Sequence, residues 1–435
     1  MSKTLNEPMP AGEDFGGAAN GGRPVPFFQS AGNGQGQTSL RSLPVRWALG
    51  FFLCGSLFGM IGALMVAWRY YMGQDSRLIG LHFLALDASM LVAHLIARRY
   101  VNAGSVRWAM ITGSLLSAAG LVALSFVLPP APVGFRLAGL AVVGMGVGVI
   151  FSGLFYLVRP FQQSNAAATV SFNGALFGLG ALFVTLLIGG TYYLYTVQLE
   201  MLLLATIPLI FLAVWWRQRR PVLDIVESGE TPVVRIRYLG SIAATLFSLL
   251  LFFQFGNEWS IATWLPLFLV RRLGSDPESA VFVLALYFFA LIAGRFGAQP
   301  LLRRVDHAKL MMVSTVTAIV GYFGLTMTSS LIGASAAVVL IGAGFASIYP
   351  LVAEKLGRRF GAHPGFYDSI FLAALSGSIL QPASLGYVDY YLGLSYVMLL
   401  PAFGTLAVFV LLLLIMLEAK LMAEPGSPSP QAQTR

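Results

Sequence analysis

The sequence predicts an all-α membrane protein whose twelve transmembrane helices form two six-helix pseudo-repeats. Composition is the first reason: 57% of the 435 residues are hydrophobic, 10% are charged, and the mean hydropathy is +0.77. A soluble chain of this length needs far more charge to cover its surface. The other two reasons are the number of long apolar segments and the uneven distribution of Lys and Arg along the chain.

Twelve segments are apolar for long enough to cross a bilayer, which takes roughly 20 residues in a helix. They are unbroken runs without the alternation of a barrel strand, and a helix is then the structure that satisfies every backbone group in lipid. The predicted spans are 47–68, 78–97, 109–128, 136–158, 167–188, 198–216, 239–265, 280–302, 309–328, 332–352, 368–388 and 394–417.

The basic residues give these spans an orientation. With the N-terminus inside, the inner segments hold 21 of the 27 Lys and Arg residues and the outer loops hold five, while Arg295 falls within a span. This contrast follows the positive-inside rule. It predicts an integral membrane protein with both termini in the cytoplasm, and the membrane expected is a bacterial inner (plasma) membrane. The net charge of +9 is then explained without a nucleic-acid partner.

Composition divides the chain into five parts. Residues 1–40 and 421–435 are rich in Gly, Pro, Gln and other small or polar residues, which predicts disordered cytoplasmic tails. The least apolar interior stretch, 217–237, contains Pro, Gly and mixed charges and is predicted to be a cytoplasmic linker. It separates an N-terminal six-helix bundle, 41–216, from a C-terminal six-helix bundle, 238–420.

The two halves share a weak internal repeat. At an offset of 200, five of thirteen positions agree between HFLALDASMLVAH in the second span and FVLALYFFALIAG in the eighth. Repeated halves of the same orientation are typical of secondary transporters, which place the solute site between the halves. At an offset of 197 the matching pairs are Phe58 with Phe255, Gly59 with Gly256, Gly180 with Gly377, Gly189 with Gly386 and Tyr193 with Tyr390.

Three C-terminal stretches resemble motifs of one family. FFQFGNEWSIATWLPLFLV has the Gly-x-Glu and following Trp of the fucose and glucose/galactose permease-like branch of the major facilitator superfamily. LIAGRFGAQPLLRRVDHAKL resembles the superfamily signature between spans eight and nine, and SGSILQPASLGYVDYYLG resembles the eleventh helix of that branch. The resemblance covers about residues 40–420 and implies a twelve-helix transporter that works by alternating access.

Glu258 is the leading candidate for the transport chemistry. An ionisable group near the middle of a span costs roughly 2.5 to 3.5 kcal/mol by insertion scales, so it persists mainly where it faces a cavity or a partner. The resemblance places the seventh helix along the central cavity. Gln254 and Glu258 share a helical face, Asn257 lies beside them, and Trp264 is predicted to supply an aromatic wall. The alternative is an acid held by structural hydrogen bonds.

Asp87 and His94 form the second candidate site, in the second span. They are seven residues apart and therefore share a helical face, which permits an acid and an imidazole to pass a proton. The alternative is a polar patch that packs against a neighbouring helix.

Other polar residues in the spans are predicted to reach the cavity or to form an inner gate. An inner gate needs opposite charges that pair in one state and separate in the other; the alternative is snorkelling to the membrane interface. The predicted cavity residues are Tyr156, Asn173, Tyr349 and Gln381, and the predicted gating residues are Arg159, Arg295, Glu354 and Asp368.

The sequence predicts neither a cofactor nor a metal. Cys54 is the single cysteine, and the four histidines match no metal-ligand spacing. GMGVG lies inside an apolar span and lacks the preceding strand of a nucleotide-binding fingerprint. Neither GxxxxGK, GxSxG nor HExxH occurs, so the prediction is not an enzyme and not an ATP-driven pump.

The predicted function is secondary active transport in the lipid bilayer. The expected partners are a small-molecule solute and a coupling ion, with proton-coupled uptake of a sugar or similar small polar solute by a monomer. An efflux carrier for drugs or organic cations is one alternative. A non-transporting membrane sensor with the same fold is an alternative of another class.

Overall fold

The computed structural model describes residues 43–102, 104–127, 131–164, 166–217, 242–301, 304–360 and 364–423. The predicted N-terminal tail, residues 424–435 of the predicted C-terminal tail and all of the predicted linker except Arg217 lie outside the described residues, whereas residues 421–423 are helical and not disordered. Helices of the N-terminal half are α1 (Leu43–Ala67), α2 (Ser76–Ala97), α3 (Val106–Phe126), α4 (Val133–Ser164), α5 (Ala166–Thr191) and α6 (Val197–Trp216). Helices of the C-terminal half are α7 (Ile242–Leu273), α8 (Pro277–Leu301), α9 (His307–Met327), α10 (Leu331–Phe345), α11 (Ile348–Phe360), α12 (Pro364–Leu392) and α13 (Leu399–Ala423).

Short polar side chains begin several of these helices. Asp75 accepts a hydrogen bond from the backbone N–H of Arg77 at the start of α2, and Thr196 and Ser330 accept in the same way at the starts of α6 and α10. Such caps satisfy N–H groups that have no partner within the helix.

Eleven helices in the described part of the chain are long and apolar enough to cross a membrane, and one of these, Leu331–Gly357, combines α10 with most of α11. The one predicted span that is not among these eleven is the seventh, 239–265, which corresponds to α7. Gln254, Asn257 and Glu258 lower its hydropathy, yet it runs for 32 residues and packs against α1, α8, α12 and α13. The structure therefore has the predicted all-α fold, with a polar seventh helix enclosed by the others.

The two halves repeat the same helix packing. The pairs α1–α5, α2–α4 and α3–α6 of the N-terminal half correspond to α7–α12, α8–α10 and α9–α13 of the C-terminal half. Glycine allows the same close approach in both: a Cβ at Gly180 would overlap the carbonyl oxygen of Phe52 in α1, and a Cβ at Gly377 would overlap that of Phe252 in α7. Gly180 and Gly377 are one of the pairs that the repeat aligns.

The halves meet along two long helix pairs, α2–α12 and α5–α8, with α1–α7 and α5–α11 as smaller contacts. Residues of α1 and α7 therefore face each other near the middle of the bundle. The α1–α2, α7–α8 and α12–α13 connections lie at one end, which the charge pattern predicts to face outside; we call it the outer end.

Candidate functional site

The polar stripe of α7, formed by Gln254 and Glu258, lies near the middle of that helix. Gln254 is buried and donates a hydrogen bond from Nε2 to Oε1 of Glu258 at 2.7 Å. The Glu258 carboxyl is half-buried and lies near the middle of α7. The predicted pairing of these two residues on one helical face is therefore present in the structure.

Aromatic rings from both halves surround this stretch of α7. The ring centroid of Trp259 lies 5.0 Å from that of Phe58 in α1 and 5.8 Å from that of Phe177 in α5. Phe151 of α4 stacks on Phe177 at 6.2 Å and on Phe155 at 5.6 Å. These distances are those of favourable aromatic pairs.

The aromatic contacts continue into the C-terminal half. Phe371 of α12 contacts Phe155 across the interface at 5.4 Å and Phe255 of α7 at 6.0 Å, and Phe255 contacts Tyr349 at 4.7 Å. Most of these rings are half-buried, as expected for side chains that border an internal space. The central aromatic cluster comprises Phe58, Phe151, Phe155, Phe177, Phe255, Trp259, Tyr349 and Phe371.

Arg295 of α8 joins this site. It is 8% exposed, and its guanidinium makes no hydrogen bond and no close ion pair with any described residue. Glu258 is the carboxyl group with which it interacts electrostatically. A Cβ at Gly174 of α5 would overlap the guanidinium, so Arg295 reaches from one half to the other. Its guanidinium lies against α5 and interacts electrostatically with Glu258, and its predicted role in an inner gate stays a prediction.

Asn257 and Gln381 lie inside the C-terminal half. Asn257 is fully buried; its Oδ1 accepts from Nε2 of Gln381 at 2.6 Å and its Nδ2 donates to Oγ1 of Thr405 at 3.3 Å. Tyr322 donates to the backbone oxygen of Asn257 at 3.3 Å. These bonds tie α7 to α9, α12 and α13, and this geometry favours a structural role for two residues predicted to line the cavity.

Trp264 closes the space between α7 and its neighbours at the outer side of the site. Its indole Nε1 donates to the backbone oxygen of Pro382 in α12 at 2.8 Å, and its ring contacts Phe83 of α2 at 5.6 Å. The side chain is fully buried. It is an aromatic wall, as the sequence predicts, but one that packs helix against helix.

Asp87 and His94 do not bond to each other. Nδ1 of His94 lies 3.1 Å from Oγ of Ser152 in α4, and its ring contacts Phe155. Asp87 is buried and makes no hydrogen bond to any residue that the structure describes. The histidine ring turns to α4, so a proton relay between the two residues would need water between them, and this relay stays a prediction.

The remaining predicted residues divide into two groups. Asn173 is buried in α5, and Tyr156 is half-buried in α4 against the core. Glu354 lies 3.5 Å from His307, a neighbour within its own half. The side chains of Arg159 and Asp368 lie outside the described residues, so the predicted inner gate stays a prediction.

A set of hydrogen bonds joins the two halves at the outer end. Arg271 of α7 donates to Oδ2 of Asp389 in α12 at 2.8 Å, to Oγ of Ser76 in α2 at 3.2 Å and to the backbone oxygen of Tyr70 at 2.8 Å. Ser76 also donates to Asp389. Gly80 of α2 packs against the backbone of α12 beside these bonds. We call Tyr70, Ser76, Arg271 and Asp389 the outer seal.

Comparison with known proteins decides the family. The sequence model of the Major Facilitator Superfamily matches residues 47–376. This chain belongs to the major facilitator superfamily. No curated protein matches the sequence significantly.

Solved structures of the superfamily share the fold. The transporter FucP in its outward conformation has a TM-score of 0.60 at 17% identity over 89% of this chain and 100% of that chain. A variant of the E. coli fucose:proton symporter FucP has a TM-score of 0.58 at 16% identity over 88% and 99%. A mutant of the nucleoside transporter NupG has a TM-score of 0.67 at 12% identity over 88% and 100%. This facilitator is thus an integral membrane transporter and not an enzyme.

Sequence reasoning missed most of the aromatic cluster and the outer seal of this facilitator. Phe and Trp are common in every span, so composition does not distinguish a ring at the interface from a ring facing lipid. The repeat did carry one signal: Phe58 and Phe255, aligned at an offset of 197, both belong to the cluster. Arg271 and Asp389 both fall between predicted spans, and 118 residues separate them.

Proposed function

We propose that this facilitator is a proton-coupled secondary active transporter that takes up a sugar or similar small polar solute by alternating access. One observation carries the proposal: Trp259 of α7, which follows Glu258 in the sequence, contacts Phe58 and Phe177 of the other half near the middle of the bundle. A solute bound there contacts both halves, so movement of one half relative to the other changes the side from which the solute is reached.

The side chains around this space suit a small polar ring. Aromatic faces cover the apolar C–H surfaces of a sugar, while a few polar groups fix its orientation. Glu258 offers carboxyl oxygens as acceptors, and Arg295 offers N–H donors that no described residue uses. FucP is a fucose:proton symporter and NupG is a nucleoside transporter, and both of these solutes contain a sugar ring.

Glu258 is the proposed proton carrier. Arg295 supplies a counter-charge when Glu258 is deprotonated, and a proton on Glu258 removes that attraction, so protonation changes how α7 and α8 hold each other. One charge moved through about 100 mV supplies about 2.3 kcal/mol, which holds roughly a 40-fold solute gradient.

An efflux carrier for organic cations is the second candidate. Aromatic rings near a carboxyl group are a favourable site for a cation, and Trp259, which follows Glu258 in the sequence, contacts Phe58 and Phe177. Arg295 argues against it, because its positive charge already lies in the same site. The two proposals therefore differ in the charge of the solute.

The test is transport by purified protein in proteoliposomes. Uptake of a panel of labelled sugars and nucleosides is measured with and without an inside-alkaline pH gradient, for wild type, Glu258→Gln and Glu200→Gln. Glu200 is a matched control because it is also a buried acid in a span, but it lies in α6 and bonds to Thr191 within the N-terminal half.

The expected result is accumulation of at least one solute by wild type and Glu200→Gln when the gradient is applied. Glu258→Gln is expected to lose gradient-driven accumulation and to keep exchange of solute at equal concentrations, since exchange needs no net proton movement. Export of a labelled organic cation without sugar uptake would establish the efflux carrier instead. Binding of a sugar without any flux would establish a sensor.

We further propose that the protein is a monomer in a bacterial inner membrane with both termini in the cytoplasm. The charge contrast of the loops supports this orientation. Protease or antibody access to a tag at either end of right-side-out membrane vesicles tests it. A tag that is reached without permeabilising the vesicles contradicts it.

A further inference from the structure

A buried cationic cluster lies at the outer end of the N-terminal half, apart from the central aromatic cluster. Arg136 stands in the first turn of α4, and its guanidinium carbon lies 5.9 Å from the ring centroid of Trp68 and 5.4 Å from that of Tyr70. His82 of α2 completes the group, with its ring centroid 5.1 Å from that of Tyr70. We call Trp68, Tyr70, His82 and Arg136 the Arg136 cluster.

The donors of this cluster have no acceptor. Nε and Nη1 of Arg136 and Nε1 of Trp68 are all buried, and none has a hydrogen-bond partner among the described residues. Arg136 is 2% exposed, and no described carboxylate forms an ion pair with it. Buried N–H groups are nearly always paired in folded proteins, so orphan donors on two adjacent side chains indicate that an acceptor is missing at the guanidinium and at the indole.

The other two members of the cluster do not accept from these donors. The Tyr70 hydroxyl lies 3.0 Å from Nε2 of His82, and Nδ1 of His82 lies 2.6 Å from the backbone oxygen of Leu78. Neutral His82 therefore donates from Nδ1 and accepts from Tyr70 at Nε2. Burial raises the pKa of the Tyr70 hydroxyl to about 12, so it remains protonated and keeps donating to His82 at neutral pH.

The charge of the site favours an anion over water. The rings of Trp68 and Tyr70 face the guanidinium and offset part of its desolvation, but they accept no hydrogen bond in the plane of the N–H groups. The N-terminus of α4 adds a positive partial charge to that of Arg136. An anion accepts from one edge of the guanidinium and compensates both positive charges, whereas water accepts a hydrogen bond and leaves the charges uncompensated.

We propose that the Arg136 cluster binds a small monovalent inorganic anion of the size of chloride. Arg136 donates to it from one edge of its planar guanidinium, and Trp68 donates from Nε1. Near-complete burial of both side chains excludes a large organic anion, and the positive charge of Arg136 excludes a cation. The site is independent of the central site, because it lies within one half and uses none of the central residues.

The test measures binding of radiolabelled chloride, and its displacement by bromide, with purified full-length protein in detergent and gluconate as the non-binding counter-ion. Wild type is compared with Trp68→Phe, which keeps a ring over Arg136 but removes the N–H, and with Arg136→Gln. Trp108→Phe is the matched control, because Trp108 is an exposed tryptophan on α3. No transported solute is needed, so the result does not depend on the proposed function.

Wild type and Trp108→Phe are expected to bind chloride saturably at one site per chain. Trp68→Phe is expected to bind about tenfold more weakly, since it loses one hydrogen bond to a charged group, and Arg136→Gln is expected to lose binding. If Arg136→Gln does not fold, Trp68→Phe decides alone. No saturable binding by wild type, or equal affinity in wild type and Trp68→Phe, overturns the proposal.

Discussion

Replacing Asp389 with Asn tests whether the outer seal holds the two halves together. The substitution keeps the size of the side chain but removes the charge that Arg271 binds at 2.8 Å. Arg271 would keep its bond to the backbone oxygen of Tyr70, while its partner in α12 becomes a neutral amide. The change therefore weakens the link between α7, α12 and the N-terminal half without opening a cavity.

The size of the expected effect follows from the burial of the Asp389–Arg271 ion pair. The Asp389 and Arg271 side chains are 8% and 16% exposed, so solvent screens their interaction little. A hydrogen bond to a charged group contributes about 2 kcal/mol. Losing that amount from the closed state alone shifts the ratio of closed to open outer ends by about 30-fold.

Pulsed electron paramagnetic resonance measures the distance between two spin labels and therefore distinguishes closed from open outer ends. Spin labels are placed at Met72 in the α1–α2 connection and Leu392 at the end of α12, which are 70% and 62% exposed. Cys54, the single native cysteine, is replaced by Ser. In Asp389→Asn a population with a longer distance between the labels is expected to grow at the expense of the wild-type distance.

Asp75→Asn is the control. Asp75 is also an acid at the outer end, and hydrogen bonds from Arg77 hold its pKa below the ordinary value, so it is charged at neutral pH. These bonds lie within the N-terminal half, so the substitution should leave the distance unchanged. Equal distances in wild type and Asp389→Asn, or an equal shift in both variants, would refute the reasoning.

Two further predictions concern stability. Gly377→Ala places a Cβ against the carbonyl oxygen of Phe252 and should lower the melting temperature by several degrees. Gly297→Ala is the control, because its Cβ has open space and should leave the melting temperature unchanged. Both are measured by heating the purified protein and recording the fraction that still elutes as a single monodisperse peak. Asn257→Ala leaves Nε2 of Gln381 without its acceptor in the core and should lower the free energy of unfolding by about 1 to 3 kcal/mol, with the KM for the solute unchanged. A raised KM at unchanged stability would instead place Asn257 in the solute site.

The fold could be predicted because the bilayer imposes a strong rule on sequence. Each crossing needs a long apolar run, and the six N-terminal spans predicted on that basis coincide with α1 to α6. The polar stripe of α7 was visible for the same reason, since Gln254 and Glu258 stand out against an apolar span. Their hydrogen bond follows from helical spacing, which sequence alone specifies.

The rest of the site could not be predicted, because it depends on which face of each helix packs against a neighbouring helix. Asn257 was predicted beside Glu258 in the cavity, but one residue along a helix turns the side chain by about 100°, and this places Asn257 in the C-terminal core. Arg136 was counted among outer-loop residues, since its position at a helix start gave no sign of burial. Arg295 was assigned to the inner gate on its position alone.

Side-specific labelling of the central site tests alternating access most directly. Phe371 of the central aromatic cluster is replaced by Cys in the Cys54→Ser background, and a membrane-impermeant thiol reagent is added from either side of oriented proteoliposomes, with and without the solute found in the uptake assay. With the outer seal intact, the new cysteine is expected to react with reagent added on the inner side only, and bound solute is expected to slow that reaction. When Asp389→Asn is added, the cysteine is expected to react also with reagent added on the outer side. Reaction from both sides at equal rates in the wild-type seal, or no protection by a transported solute, would contradict a solute site between the two halves.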